Sequence, residues 1–324
     1  MKAFRYFGLE GGMKLVDIPI PEPGPEDVQI QVKATGMCHS DCHLLKGHYD
    51  SWLRVPLTCG HEVAGIVTKV GSSIQDYRPG DRVACVIISQ PVEEHDWALA
   101  VGLGLDGGYA EYATVPQKRL IKIPDNVSFP QAAVAMDALA TSYFAVMTKG
   151  EAKPGLTMGI IGLGGLGMAG LQFALIAGAT VYGFDLQKAK LDEARGLGAH
   201  GCFESLRDLK DVTLDVVIDF AGVGVTTAEA VKAVKLGGKV VAVGLGSETM
   251  ALPTQEVVLK SVTVTGMLGS DLNATKGVIR LLEQGLIDPV LKEIPFLDIP
   301  KGLDSIEKEE VTGRLWADPS KLST

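Results

Sequence analysis

From the N-terminus to about residue 125, apolar and polar positions alternate in short runs. "DVQIQVKAT", "VAGIVTKVG", "DRVACVII" and "YAEYATV" have the period of half-buried strands, and Gly, Pro and Asp turns such as "PEPGPED" and "YRPGD" separate them. From about 130 the period changes. "DALATSYFAVMT" reads as a helix, with Asp137 placed to cap its N-terminus. Beyond it, continuously apolar strands ("TMGIIG", "TVYGFD", "LDVVIDFAG", "KVVAVGL", "SVTVTGML") alternate with helices ("GMAGLQFALIAG", "KAKLDEARGLG", "TTAEAVKAVKLGG"). Strands of that kind are buried on both faces, and the alternation predicts a doubly wound parallel sheet. From about 270 the pattern adds one helix, "KGVIRLLEQGLI", and a final extended tail.

The totals exclude more than they assign. At 324 residues, with 46 % hydrophobic and 21 % charged positions, the chain suits two soluble domains with real cores. A net charge of −9 gives no attraction to nucleic acid or to an acidic membrane surface. Residues 158–184 carry no charge and are long enough to cross a bilayer, but eight glycines interrupt them, so a buried strand, turn and helix is the better reading. Five cysteines are an odd count and form no disulfide framework, which points to a reducing, cytoplasmic setting. "MKAFRYFG" lacks the apolar stretch of a signal peptide, and Ser-Lys-Leu stops two residues short of the end, so no peroxisomal address is expected.

"GIIGLGGLGMAG" places Gly162, Gly164 and Gly167 as G-x-G-x-x-G between an expected strand and an expected helix. In that setting the first glycine makes the turn and the second admits a pyrophosphate to backbone N–H groups. The third lets helix and strand close up. The run Gly162, Gly164, Gly165, Leu166, Gly167 is therefore the candidate dinucleotide cradle. Asp185 ends the next strand, where a carboxylate accepts ribose hydroxyls and repels a 2′-phosphate, so NAD(H) is expected rather than NADP(H).

The densest chemistry is "GMCHSDCHLL", with "CGHEVAGIV" nearby. Cys38, Cys42, Cys59 and His61 have the donor types of a closed structural zinc site, although their spacing matches no finger or ribbon. A catalytic site needs three protein ligands and an open position. Cys38 and His61 supply two of them, and a third must come from elsewhere.

"GMCHSD", "GHEVAG", "GDRV", "GGYAEY" and the glycine loop, in that order over essentially the whole chain, resemble the zinc-dependent medium-chain alcohol dehydrogenases. The resemblance implies a GroES-like β domain (residues 1–138 and 269–324) clasping a Rossmann domain (139–268). Zinc ligands would be Cys38, His61 and, in place of the commoner cysteine, Asp137; the capping reading of Asp137 stays open. Glu62 would be an alternate or outer partner of the metal, and Asp41 would hold the His61 imidazole. Ser40 would touch the substrate oxygen and His43 would carry its proton away. His39 and Arg314 would lie at the pyrophosphate, Lys190 at the adenosine ribose and Thr141 on the nicotinamide. Tyr49 and Trp52 are candidate pocket residues.

The four clustered cysteines of the family's structural zinc lobe are missing from "IISQPVEEHDWALAVGLGLDGG", so one catalytic Zn²⁺ per chain is expected. The implied reaction is NAD(H)-dependent interconversion of an alcohol with an aldehyde or ketone, in a homodimer or homotetramer paired through "SVTVTGML". Two rivals are a zinc-free enoyl- or quinone-type reductase of the same superfamily and a non-catalytic paralogue.

Overall fold

The computed structural model describes residues 1–51, 53–87 and 97–322. Trp52, the 88–96 part of the cysteine-free segment and the last two residues lie outside this set. The chain divides into two compact units, Met1–Ala140 with Ser270–Thr324, and Thr141–Gly269.

Along the chain the first unit opens with β1 (Lys2–Tyr6), β2 (Met13–Asp17), β3 (Asp27–Gly36), helix α1 (His39–Leu45), β4 (Leu57–Thr58) and β5 (Glu62–Val70). Then follow β6 (Arg82–Cys85), β7 (Tyr112–Pro116) and β8 (Leu120–Lys122). The alternation in β3 is realised: Val28, Ile30, Val32 and Ala34 are fully buried, and the three larger residues share one core cluster with Val63, Val67 and Val83 from β5 and β6. β3 pairs antiparallel with both β5 and β7.

The expected helix near 130 begins earlier than its pattern suggested. α2 (Phe129–Val134) is capped by Ser128 in a reciprocal box with Gln131. The helical run continues through a π turn (Ala135–Leu139), α3 (Ala140–Tyr143) and a second π stretch to Lys149. Asp137 lies inside that run, so the capping expectation is corrected: Ser128 already supplies the oxygen that the free N–H groups need.

The second unit is a six-stranded, all-parallel sheet of β9 (Thr157–Ile161), β10 (Thr180–Phe184), β11 (Gly201–Phe203), β12 (Leu214–Asp219), β13 (Val234–Ala242) and β14 (Thr263–Gly266). Its order is β11-β10-β9-β12-β13-β14, and its helices are α4 (Gly165–Ile176), α5 (Lys188–Gly196), α6 (Val225–Ala233) and α7 (Thr254–Leu259). The order reverses between β9 and β12, the switch point at which such sheets bind nucleotides. Helix α6 stops at Ala233, short of the "VKLGG" that its pattern included, because Val234–Gly238 extends as the start of β13. Among the described residues no helix is long and apolar enough to cross a membrane.

The chain then returns to the first unit as α8 (Leu272–Glu283), β15 (Leu291–Glu293), α9 (Ile299–Glu307) and β16 (Arg314–Ala317). The extended tail expected here is thus half helix. Ile299, Leu303 and Ile306 of α9 are buried at helical spacing, and Gly302 lets the helix approach β3, since a Cβ there would sit 3.0 Å from Met37 Sδ. A Pro near its start and a Gly inside it hid the helix in the sequence. β16 pairs with Thr35 and Gly36, which brings Arg314 to the end of β3.

Candidate metal centre and dinucleotide cradle

The first unit gathers three donors from separated elements. β3 ends at Gly36, and Cys38 becomes the N-cap of α1, its N–H donating to Asp41 Oδ2 at 2.9 Å. This reach-back from the third helical residue starts a helix directly after a strand, so "HSDCHLL" is helical rather than a polar loop. His61 stands at the foot of β5, and Asp137 comes from the π turn, a kind of widened backbone frequent at functional sites.

Cys38 Sγ, a ring nitrogen of His61 and a carboxylate oxygen of Asp137 all lie within 4.8 Å of one another. His61 Nε2 is 3.2 Å from Asp137 Oδ2. Cys38 and His61 are buried, and the Asp137 side chain is 14 % exposed. The sulfur–imidazole–carboxylate set suits Zn²⁺, which takes all three donor types.

The electrostatics fit a cation. Burial pushes the Asp137 carboxyl up, but the hydrogen bond and charge of His61 outweigh it and hold the group well below the carboxylate range. Burial opposes charge on His61 as well; Asp41 and Asp137 overcome it and raise the imidazole well above its ordinary value.

Asp41 Oδ1 lies 3.2 Å from His61 Nδ1, an ion-pair distance outside hydrogen-bond geometry, and neither atom has a hydrogen-bond partner. Glu62 is fully buried and sits outside the three-donor set; its Oε1 accepts from the Ala138 N–H at 3.3 Å and from the Arg314 guanidinium. Burial raises its carboxyl to about 7 despite Arg314. Arg314, which the resemblance places at the pyrophosphate, is buried and pairs with Glu62 within this unit, giving that carboxylate a cation out of water.

Cys42 and Cys59 do not join the centre. Cys42 Sγ contacts Leu303 O at 3.5 Å and Cys59 Sγ contacts Leu57 O at 3.9 Å, both in the hydrophobic core, which removes the closed four-ligand reading. Ser40 Oγ is 3.7 Å from Cys38 Sγ. Half-buried Tyr49 has its phenol pushed up, first by burial and then by Cys38, and the Ser40 hydroxyl hydrogen-bonds to it. His43 is half-buried with its ring 5.2 Å from that of His48, and burial followed by His48 lowers its imidazole pKa. His39 is exposed on the first turn of α1.

In the second unit the glycine loop joins β9 to α4. Gly162 adopts φ +80, and a Cβ there would sit 2.8 Å from Ala221 N. A Cβ on Gly167 would lie 1.8 Å from the Gly162 carbonyl, so helix and turn close as the motif requires. Gly164 is the α4 N-cap, and a Cβ there would meet nothing within 4 Å: the approach to the helix N-terminus is open, as an incoming pyrophosphate needs. Gly165, Leu166 and Gly167 form the first turn behind it. Asp185, just after β10, accepts from the Leu163 and Gln187 N–H groups at 2.8 and 2.9 Å, and Lys190 Nζ is 3.8 Å from it. Thr141 is buried.

Two contributors escaped the sequence reading. Tyr109 Oη donates to Asp41 Oδ2 at 2.9 Å; its signal was "GGYAEY", which marks a resemblance without naming a contact. Asp219, at the end of β12, is fully buried and accepts from the Ala221 and Gly222 N–H groups and from the Thr226 and Thr227 hydroxyls. Its signal was an acid closing an apolar strand ahead of "TT".

Residues 24–125 match the family described as "Alcohol dehydrogenase GroES-like domain", and residues 165–284 match "Zinc-binding dehydrogenase". An NAD-dependent alcohol dehydrogenase of Sulfurisphaera tokodaii is 30 % identical, over 97 % of this chain and 99 % of its own. Among solved structures, the acetophenone reductase of Geotrichum candidum in complex with NAD is similar with TM-score 0.88 and 29 % identity, covering 99 % of this chain and 98 % of that one. The alcohol dehydrogenase of Aeropyrum pernix is similar with TM-score 0.89 and 26 % identity, covering 98 % of this chain and 100 % of that one.

Proposed function

This chain belongs to the zinc-dependent medium-chain alcohol dehydrogenases, and from that premise we propose that it interconverts an alcohol with its aldehyde or ketone using NAD(H) and one Zn²⁺ per chain. The observation that carries the reading is the convergence of Cys38, His61 and Asp137 within 4.8 Å, with no fourth protein donor among the described residues of that group.

Bound there, Zn²⁺ supplies a Lewis acid that polarises the substrate oxygen and lowers its pKa, while NAD⁺ supplies the hydride acceptor. The protein's part is to hold and to move protons. Cys38, His61 and Asp137 ligate, and Asp41 keeps the His61 ring oriented. Glu62, tied to Arg314, stands as the outer partner of the site. Ser40 takes the substrate's proton and His43 passes it outward. Tyr49, beside Ser40, lines the substrate pocket. Residues 1–138 with 269–324 are read as the catalytic domain and 139–268 as the cofactor domain. Gly162 to Gly167 of the latter cradle the pyrophosphate, with help from His39 and Arg314 of the former. Asp185 and Lys190 bind the adenosine ribose, Thr141 packs on the nicotinamide, and the Asp185 carboxylate disfavours a 2′-phosphate.

An assay with a panel of alcohols tests the reading directly. Chelator-treated protein is expected to lose turnover and to regain it with one equivalent of Zn²⁺, with NAD⁺ preferred over NADP⁺. Full turnover without metal, or two tightly held ions per chain, overturns it.

The relay has its own signature. Because the His43 pKa is lowered, the ring is a neutral proton acceptor at pH 7 and gains a proton only below that lowered value. His43→Gln is expected to lower kcat by roughly tenfold to a hundredfold near pH 6–7. The deficit should shrink at alkaline pH, where hydroxide takes the proton directly. A pH–rate profile parallel to wild type removes His43 from the path.

A homodimer or homotetramer is supported by β14, which ends the parallel sheet as an edge strand, and by Val258 and Leu259 beside it, 67 % and 76 % exposed. Cytoplasmic residence is supported by five cysteines that are all unpaired.

A further inference from the structure

Tyr109 is built into the limb that carries His61 more firmly than its place in a loop suggests. The segment from Ala100 to Tyr109 folds back on the chain ahead of β5. Gly107 N–H donates to Thr58 O at 2.8 Å, Gly108 N–H to Gly60 O at 2.8 Å and Tyr109 N–H to Cys59 O at 2.9 Å. A Cβ on Gly107 would lie 2.1 Å from the Gly60 carbonyl, and one on Gly60 (φ +90) would lie 2.3 Å from the Tyr109 ring. The ring therefore seats directly on the residue before His61, and the whole side chain is buried.

Its phenol completes a chain of contacts. Asp41 Oδ2 accepts two donors from different parts of the fold, the Cys38 N–H at 2.9 Å and the Tyr109 hydroxyl at 2.9 Å. Two donors from different parts of the fold on one oxygen restrain rotation of the carboxylate, which helps keep its other oxygen, Oδ1, 3.2 Å from His61 Nδ1. With the Cys38 N–H alone, one of the two restraints on the carboxylate is gone, and Asp41 Oδ1 is held less firmly beside the His61 ring.

We propose that Tyr109 is a positioning residue of the metal centre: by fixing Asp41 it sets how firmly the Cys38–His61–Asp137 set holds its ion. The inference rests on the metal reading above. Tyr6 provides a matched control. It is equally buried, shares the same hydrophobic cluster, and donates a hydrogen bond to a different carboxylate, Asp50 Oδ1, at 2.9 Å.

Wild type, Tyr109→Phe and Tyr6→Phe are each loaded with one equivalent of Co²⁺. Loss of the ion to excess EDTA is followed by its visible absorption, and the same band reports ligand geometry. Tyr109→Phe is expected to lose Co²⁺ about tenfold faster or more, with a shifted band. Tyr6→Phe, which forfeits the same kind of bond elsewhere, should match wild type in both. If Tyr109→Phe keeps the wild-type rate and band, or if Tyr6→Phe loosens the ion equally, Tyr109 has no special hold on the centre and the proposal fails. A wild-type chain that retains no ion overturns both this proposal and the metal reading, an outcome distinct from the other two.

Discussion

Asp137→Ala is expected to empty the metal centre and to lower kcat/KM for alcohol oxidation by roughly a thousandfold or more, while NADH binding stays near wild type. Lewis-acid stabilisation is worth several kcal/mol of barrier, and each 1.4 kcal/mol is about tenfold in rate. The carboxylate is one of three donors within 4.8 Å, so its removal leaves sulfur and imidazole alone. The helix itself should survive, since Ser128 caps it and Asp137 lies inside the run. A general loss of fold is therefore not the expected cause. Asp137→Cys, which restores an anionic ligand at the same position, should recover metal and much of the rate. Metal analysis beside steady-state kinetics and NADH fluorescence titration reads all three quantities. An Asp137→Ala protein that still holds a full equivalent of Zn²⁺ and turns over normally would falsify the ligand assignment.

Asp219→Ala is expected to destabilise the second unit by about 4 kcal/mol and to weaken NAD⁺ binding without touching the metal centre. Its carboxylate satisfies two backbone N–H groups at 3.0 and 2.9 Å and two threonine hydroxyls at 2.7 Å each. A buried donor left without a partner, as at Thr227, costs roughly 1–3 kcal/mol, and the half-buried donors of Ala221, Gly222 and Thr226 cost less because water reaches them. The loop it ties down also touches the glycine loop, since a Cβ on Gly162 would sit 2.8 Å from Ala221 N. Slack at Ala221 therefore reaches the cofactor cradle. Asp219→Asn keeps one acceptor and should cost about half as much. Thermal unfolding with and without NAD⁺ tests this; unchanged melting and an unchanged cofactor affinity in Asp219→Ala would remove the carboxylate from this role.

The glycine loop was readable in the sequence because all its parts are local. Gly162, Gly164, Gly167 and Asp185 belong to one strand–helix–strand unit, and the apolar strands around them announce a parallel sheet. The metal centre was readable only in pieces. Cys38 and Asp41 are neighbours in "CHSD" and His61 follows a short way on, but Asp137 lies 76 residues beyond His61 and shares a helix pattern in which an acid looks like a cap. Tyr109 and Arg314 stand 68 and 252 residues from the carboxylates they serve, so no spacing could pair them. Helix α9 was missed for the opposite reason: a local signal, Pro and Gly, outweighed the apolar period beneath it.

Periodicity along this chain was enough to separate an alternating β portion from a doubly wound one, and a short-range motif was enough to locate a glycine-rich turn at a helix N-terminus, since both depend on residues a few positions apart. Which carboxylates meet His61, and that Glu62 meets Arg314, depended on strands and helices folding back across long stretches of chain. Burial then gave those meetings their weight: a carboxylate taken out of water needs a cation or a set of hydrogen-bond donors, and only the folded backbone determines which of them is within reach.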